Sequence, residues 1–367
     1  LAQQVKIDEI PPWKQGEKID ICIAHWCLWA PGKSGLYETT KELVMYENLN
    51  EGILAGLVVV DKPDGGVVDP RSGLVAQSHE WAFQKANVHM IHYSETPITA
   101  RLEPRIFFIH GSPEACLTAE SHELTEHGRS FTASLNWLQD CEATIVFDKR
   151  HYYLWKAFDT ENKLHLVKKG IDLKRFHPKG AKMKLDGKPR LLYGEVWRTM
   201  KDPFILLYAI EEYYKRNPHV RFHPWGCGQG FRLWSKMVYR GPFIHFLGKY
   251  DLSGMQAYPE HWFRGGDIYI SPVMIGEPSR SYIEALACGT PTISWDTDSF
   301  GDTHSFRYAK PFDPIDMADQ IESLWNEMKE DPKHFREKAR EIAEEYYDIR
   351  DMTAQVLDIV RKVLNKS

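Results

Sequence analysis

Short apolar runs of strand length alternate with longer amphipathic stretches along most of this chain, and that order leaves few folds open. Residues 19–24 (IDICIA) form one such run, followed by a glycine-containing loop at 30–36 and a helix-like stretch at 37–48. Further runs lie at 53–60, 88–92, 106–110 and 144–147, with amphipathic segments such as 118–138 between them. Strand-then-helix repetition predicts parallel sheets covered by helices on both faces, an α/β architecture. A second cycle starts at Arg190: strands at 190–194, 220–224, 243–247, 267–271 and 292–295, and helices at 203–215 and 279–288. Gly289 and Pro291 close the second of these helices, since neither continues a helix. The stretch 332–365 reads as helical and amphipathic. Two α/β halves are expected to meet between 178 and 190, giving domains 1–180 and 181–345.

The junction is basic. From 163 to 190 there are ten Lys and Arg against Asp172 and Asp186, in a chain whose 46 Lys+Arg and 51 Asp+Glu give a net charge of −5. This stretch reads as a solvated linker, or as a field drawing a polyanion toward the site. The overall balance offers no concentrated basic surface for nucleic acid. The longest apolar run, 52–60 (GILAGLVVV), is far short of the roughly 20 residues that cross a bilayer. No basic-then-apolar leader opens the chain, so the expectation is a soluble, cytoplasmic protein. Six cysteines, at 22, 27, 116, 141, 227 and 288, lack the paired spacing of a zinc site and are expected to be packing residues.

Three short patterns are set aside. Gly32-Lys33-Ser34 ends like a phosphate-binding loop, but Cys27 stands where the first glycine is needed to let backbone amides wrap the phosphates. Asp296-Thr297-Asp298 has the look of a metal-holding acidic pair, yet loop acids mostly cap or face solvent, and no metal is expected. Gly226, Gly228 and Gly230 follow a strand without the later acidic residue that a dinucleotide ribose requires, which disfavours a nicotinamide enzyme.

Chemistry concentrates in three segments of the second half: 166–178 (LVKKGIDLKRFHP), 190–203 (RLLYGEVWRTMKDP) and 276–292 (GEPSRSYIEALACGTPT). In the third, a helix begins at Ser279, Arg280 and Ser281; free N–H groups at a helix start, with Arg280 beside them, make an anion site. Glu284 lies one turn further in, where a carboxylate can accept two hydrogen bonds from a ribose diol, and Glu277 stands at the mouth of the loop. In the second, Gly194 ends a strand and Arg198 and Lys201 follow, two cations where open α/β sheets bind ligands. Each segment also admits a plain reading, as a capped surface helix or as solvated charge.

Taken together, the segments resemble the retaining GT-B glycosyltransferases, the group that includes sucrose synthase and the phosphatidylinositol mannosyltransferases. The stretch 167–178 is similar to that family's junction, 191–203 to its glycine-ended strand and lysine loop, and 246–251 (FLGKYD), 267–272 (DIYISP) and 284–294 (EALACGTPTIS) to its later blocks in order. The tail 344–360 is similar to the family's last helix, which returns to the first domain, so 346–367 is assigned there. The match is thinner in the first half, resting on Ser34-Gly35 before a helix and His110-Gly111 after a strand. The chain also departs from the pattern. The family's two glutamates stand eight positions apart, whereas Glu277 lies seven before Glu284 and Gly276 holds the matching place. Pro278 replaces an aromatic residue, and Glu195 occupies the place of an arginine that follows the glycine.

The resemblance implies a GT-B architecture, two Rossmann-like domains facing across a cleft, with the acceptor on the first side and the donor on the second. It implies transfer of a sugar from a nucleotide diphosphate, UDP being the family's commonest base, to a hydroxyl of a carbohydrate, lipid or other acceptor, with retention and without a metal. The nucleotide sugar is a co-substrate and no separate cofactor is implied. Lys201, Arg198 and the start at Ser279–Ser281 would stabilise the diphosphate, Glu284 would hold the ribose, Glu277 would reach the sugar, His110 would face the sugar, and Gly35 would let a loop approach the diphosphate. Trp26, Trp29 and Tyr37 flank that loop and could stack on an acceptor sugar, or be core. A nucleotide-sugar epimerase, a phosphorylase, and a catalytically weakened nucleotide-sugar-binding subunit are the competing readings. The displaced Glu277 and Pro278 favour the last.

Overall fold

The computed structural model describes residues 17–31, 35–92, 99–111, 113–114, 116–117, 131–196, 201, 203–227, 258–273, 279–297 and 304–366. Contacts divide the chain into two compact units, one of residues 1–170 with 349–367 and one of residues 171–348.

In the first unit the described elements are β1 (Ile21–Cys27), α1 (Gly35–Glu47), β2 (Ile53–Val59), α2 (His79–Lys85), β3 (Val88–Ile91), β4 (Arg105–Phe108), α3 (Phe131–Asp140), β5 (Ala143–Val146), α4 (Lys149–Lys156) and β6 (Leu164–Leu166). The six strands form one parallel sheet in the order β2-β1-β3-β4-β5-β6. Successive side chains of a strand point to opposite faces, so a sheet covered on both needs apolar residues at nearly every position. On β1, Ile23 and Cys27 enter one core with Leu43 and Val44 of α1, while Cys22, Ala24 and Trp26 enter the other with Trp81 of α2 and Trp155 of α4.

The second unit contains β7 (Arg190–Val196), α5 (Pro203–Arg216), β8 (Arg221–Cys227), α6 (Pro259–Gly265), β9 (Ile268–Ser271), α7 (Arg280–Ala287), β10 (Thr292–Trp295), β11 (Arg307–Ala309), α8 (Pro314–Glu330) and α9 (Pro332–Tyr346). Its parallel sheet runs β11-β10-β9-β7-β8. Leu191, Tyr193, Ile268 and Ile293 pack with α5 and α8 on one face; Leu192 and Tyr269 pack with α6, α7 and α9 on the other. At the amino ends of the strands Asp267 receives the N–H, Nε and Nη2 of Arg190, at 2.9, 2.8 and 2.5 Å.

The expected parallel α/β sheets are both present. Two local readings change. From Ile171 on, the basic junction is a packed arm of the second unit rather than a loose linker: Ile171, Phe176 and Leu185 are buried in its core, and Arg264 and Arg340 donate to the carbonyls of His177 and Phe176 at 2.7 and 2.6 Å. Six of its lysines, at 168, 174, 179, 182, 184 and 188, nevertheless face solvent. Because of that packing, the division falls at Gly170/Ile171 and Asp348/Ile349 rather than at 180/181 and 345/346. The helical stretch at 332–365 is interrupted after α9, where the Ile171 N–H donates to the Tyr347 carbonyl at 3.0 Å and Ile171 bridges Asp348. The last helix, α10 (Ile349–Leu364), then lays Ile349, Met352, Val356 and Val360 into the core of the first unit that holds α1. The strand expected at 243–247 lies outside the described residues.

Candidate functional site

In both sheets the second strand lies outside the first and the third lies on the first strand's other side, so the winding direction reverses between β1 and β3 and between β7 and β9. In open α/β sheets the carboxyl ends of the strands at this reversal are where ligands bind.

At the carboxyl end of β7 the chain passes Gly194 and reaches Glu195, which is buried. Its Oε1 accepts from Tyr269 Oη of β9 at 3.2 Å, from Ser271 Oγ at 3.4 Å and from Ser279 Oγ. Its Oε2 is 3.6 Å from Lys201 Nζ, a half-buried ammonium whose backbone carbonyl accepts from Tyr193 Oη at 3.2 Å. Burial first, and the Glu195 charge next, push the Tyr269 phenol well above its ordinary pKa, so it stays a donor.

Ser279 is the N-cap of α7, in extended conformation, and its side chain accepts from the Tyr282 N–H at 3.3 Å. Its hydroxyl thus accepts from the helix backbone and donates to Glu195. The helix ends as expected, with Gly289 in the left-handed region at φ 73°. Arg280 and Glu284 lie one turn apart and are paired, Nε to Oε1 at 2.7 Å, both largely buried, with the guanidinium carbon 5.8 Å from the Phe176 ring centre. Ser281 is half-buried on the same first turn. The structure therefore gathers Lys201 and Ser279 around Glu195 and joins Arg280 to Glu284, so that each cation faces a carboxylate. Arg198 and Glu277 lie outside the described residues, as do Gly276 and Pro278.

In the first unit His110 stands two residues past β4, half-buried, its ring 5.9 Å from that of His92 and 5.6 Å from Phe147. His92, just past β3, is fully buried and stacked on Phe108 at 4.0 Å. Its Nε2 lies 2.9 Å from Nδ1 of His25 on β1, and His25 Nε2 lies 2.6 Å from Glu47 Oε2 of α1. Burial, then the neighbouring His25 and His110, hold His92 well below the ordinary histidine pKa, in its neutral form. Gly35 is the exposed first residue of α1. Of the three aromatics offered for sugar stacking, Trp26 and Tyr37 are core: Trp26 Nε1 donates to His89 at 3.2 Å, and Tyr37 Oη donates to Asp69 at 3.0 Å. Trp29 packs edge-on to Tyr37.

Sequence reasoning noted Glu195 only as a departure and did not see that it is the centre of the cluster. The available signal was its place one residue after a strand-ending glycine, six before Lys201. Its hydroxyl partners come from 74 to 84 residues away, beyond any local pattern. Among the described residues no group of three His, Cys, Asp or Glu is placed to hold a metal. Cys22, Cys27, Cys116, Cys141 and Cys288 are free and buried, and burial pushes the Cys22 thiol up to about 12. No described helix is long and apolar enough to cross a membrane.

Residues 189–327, within the second unit, match the family described as glycosyl transferases group 1. By sequence, no curated protein matches. Among solved structures, the sucrose-phosphate synthase from Thermosynechococcus elongatus is similar with a TM-score of 0.67 at 14% identity, covering 95% of this chain and 100% of that one. HepE from Anabaena, in complex with UDP-glucose, is similar with a TM-score of 0.67 at 12% identity, covering 93% and 100%. TarM reaches 0.53 at 16% identity over 76% of this chain and 54% of its own. The group 1 match lies in the second unit, and a likeness in fold runs along nearly the whole chain, so the architecture of this protein is that of the GT-B glycosyltransferases.

Proposed function

We propose that the protein moves a sugar from a nucleotide-diphosphate donor, with UDP as the base, to a hydroxyl of a carbohydrate or lipid acceptor, with retention at the anomeric carbon. The observation that carries this reading is the meeting of Lys201 and Ser279, the cap of α7, at Glu195 beside the carboxyl ends of β7 and β9. As the bond from the anomeric carbon to the diphosphate breaks, its electron pair passes to the phosphate oxygen; the acceptor oxygen forms the new bond and gives its proton to that departing phosphate oxygen. Lys201, Arg198 and the N–H groups at Ser279–Ser281 stabilise the growing charge. Glu284 holds the ribose once a ligand draws it from Arg280, and Glu277 reads the sugar. From the first unit the resemblance assigns His110 to the sugar and Gly35 to the diphosphate. No metal or separate cofactor takes part in this scheme. HepE, of like fold, has been obtained with UDP and glucose, which supports the choice of base.

A binding subunit with little turnover is the second reading, favoured by Glu195 facing Lys201. Thermal shift with UDP, GDP and ADP and their common sugars tests the first. A ligand at 100 times its dissociation constant adds about 2.7 kcal/mol of stability. A rise in melting temperature with one base, lost in Glu284→Ala, is the expected outcome. No rise with any of them overturns a nucleotide-sugar site.

A further inference from the structure

Glu195 places a negative charge where the resemblance calls for a positive one, and its contacts say what that charge does. Its carboxylate holds two of the groups nominated for the diphosphate, the Lys201 ammonium at 3.6 Å and the hydroxyl that caps α7. It does so at the head of an eight-residue helix, the place where an anion would otherwise sit. Tyr269 and Ser271 donate to it too, so the carboxylate is held from β9 and α7 as well as by Lys201. An anion arriving here meets Lys201 already facing a carboxylate and a cap hydroxyl already donating.

The two ligands that a transferase must handle differ in charge at this spot. In a nucleotide sugar the outer phosphate is esterified and carries a single negative charge. In the free nucleoside diphosphate released by transfer, the outer phosphate carries about −1.5 to −2 near neutral pH. A fixed carboxylate repels the second more than the first, and it does so strongly because Glu195 is buried, where charges are poorly screened.

We infer that Glu195 is a specificity-determining residue of the donor site, which lowers the affinity for free nucleoside diphosphate relative to the intact nucleotide sugar and so favours release of the product. The inference rests on the donor reading above and deepens it. Glu195 works through the charge it presents to the ligand and through its hold on Lys201 and Ser279. It takes no part in bond breaking.

The test is equilibrium titration of UDP and of UDP-glucose into the wild-type protein and Glu195→Gln, whose amide keeps the shape and drops the charge. The variant is expected to bind UDP about tenfold more tightly, and UDP-glucose by clearly less, so that the ratio of the two dissociation constants changes. Glu195→Asp, which keeps the charge, is expected to keep the wild-type ratio, a rescue that a packing role alone would not require. Should the Gln variant fail to fold, Glu195→Ser, smaller and uncharged, carries the same expectation. Equal tightening of both ligands, an unchanged ratio, or weaker UDP binding in the neutral variants overturns the inference and leaves the donor site standing. Binding of neither ligand by wild type or variants overturns both together.

Discussion

Replacing Lys201 with alanine is expected to lower turnover by about tenfold or more. A hydrogen bond to a charged group contributes about 1.5–3 kcal/mol, and each 1.4 kcal/mol of barrier is a factor of ten in rate. The substitution has a second consequence, because Lys201 is the cation facing the buried Glu195 carboxylate. Among the described residues, alanine leaves that carboxylate with the hydroxyl donors of Tyr269, Ser271 and Ser279, so a drop in melting temperature accompanies the loss of activity. The double variant Lys201→Ala with Glu195→Gln separates the two effects. It is expected to regain the melting temperature and not the turnover. Wild-type turnover in a folded Lys201→Ala protein removes this residue from the mechanism.

The amino ends of the same strands carry the largest expected effect on stability. Asp267 binds Arg190 through three hydrogen bonds and stands 3.9 Å from both Lys188 and Arg336. Asp267→Ala leaves guanidinium groups at a largely buried site without their carboxylate, a change that costs about 3–5 kcal/mol. Burial pushes the Asp267 carboxyl up, but the hydrogen bonds and charge of Arg190, joined by Lys188, bring it below the ordinary range. A carboxylate lowered on folding contributes stability that is fully present above its unfolded value, about 3.9, and that is lost as the pH falls through its folded value. The difference in melting temperature between wild type and Asp267→Ala is therefore expected to be large at neutral pH and to shrink below about pH 4. A gap independent of pH would assign the loss to packing.

Local pattern carried much of the architecture. The strand expected at 292–295 is β10, residue for residue, and the helix after Ser279 has its cap and its glycine stop where serine and glycine chemistry put them. Both signals depend only on neighbours along the chain. The break at 347–348 could not be read this way, because it is made by pairing with Ile171, 177 residues earlier. The same holds for the site. Lys201 and Ser279 were legible as cations and caps in the right places, whereas the role of Glu195 as their shared partner exists only once β7, β9 and α7 are folded together. Arg280 and Glu284 show the reverse case. Their spacing of four on a helix makes an ion pair the simplest outcome, and reading each for its own ligand passed over it. Trp26 was near a loop in sequence and is core in space, since a strand residue next to a loop still has an inward face.

The pairing of Ile171 with Tyr347 and Asp348 has one more consequence. The second unit begins and ends at adjacent residues, so in covalent terms it is an insert in the first. Both of its ends are tied by a backbone hydrogen bond and a bridge that belong to the insert itself. A gene fragment encoding residues 171–348 thus carries a complete sheet with its helices. Its open ends lie close enough to be joined by a short loop, and new ends can be cut elsewhere on its surface. Evolution and the bench have the same opportunity here: the second unit is joined to the first through two neighbouring splice points, and its own strand order lies wholly between them.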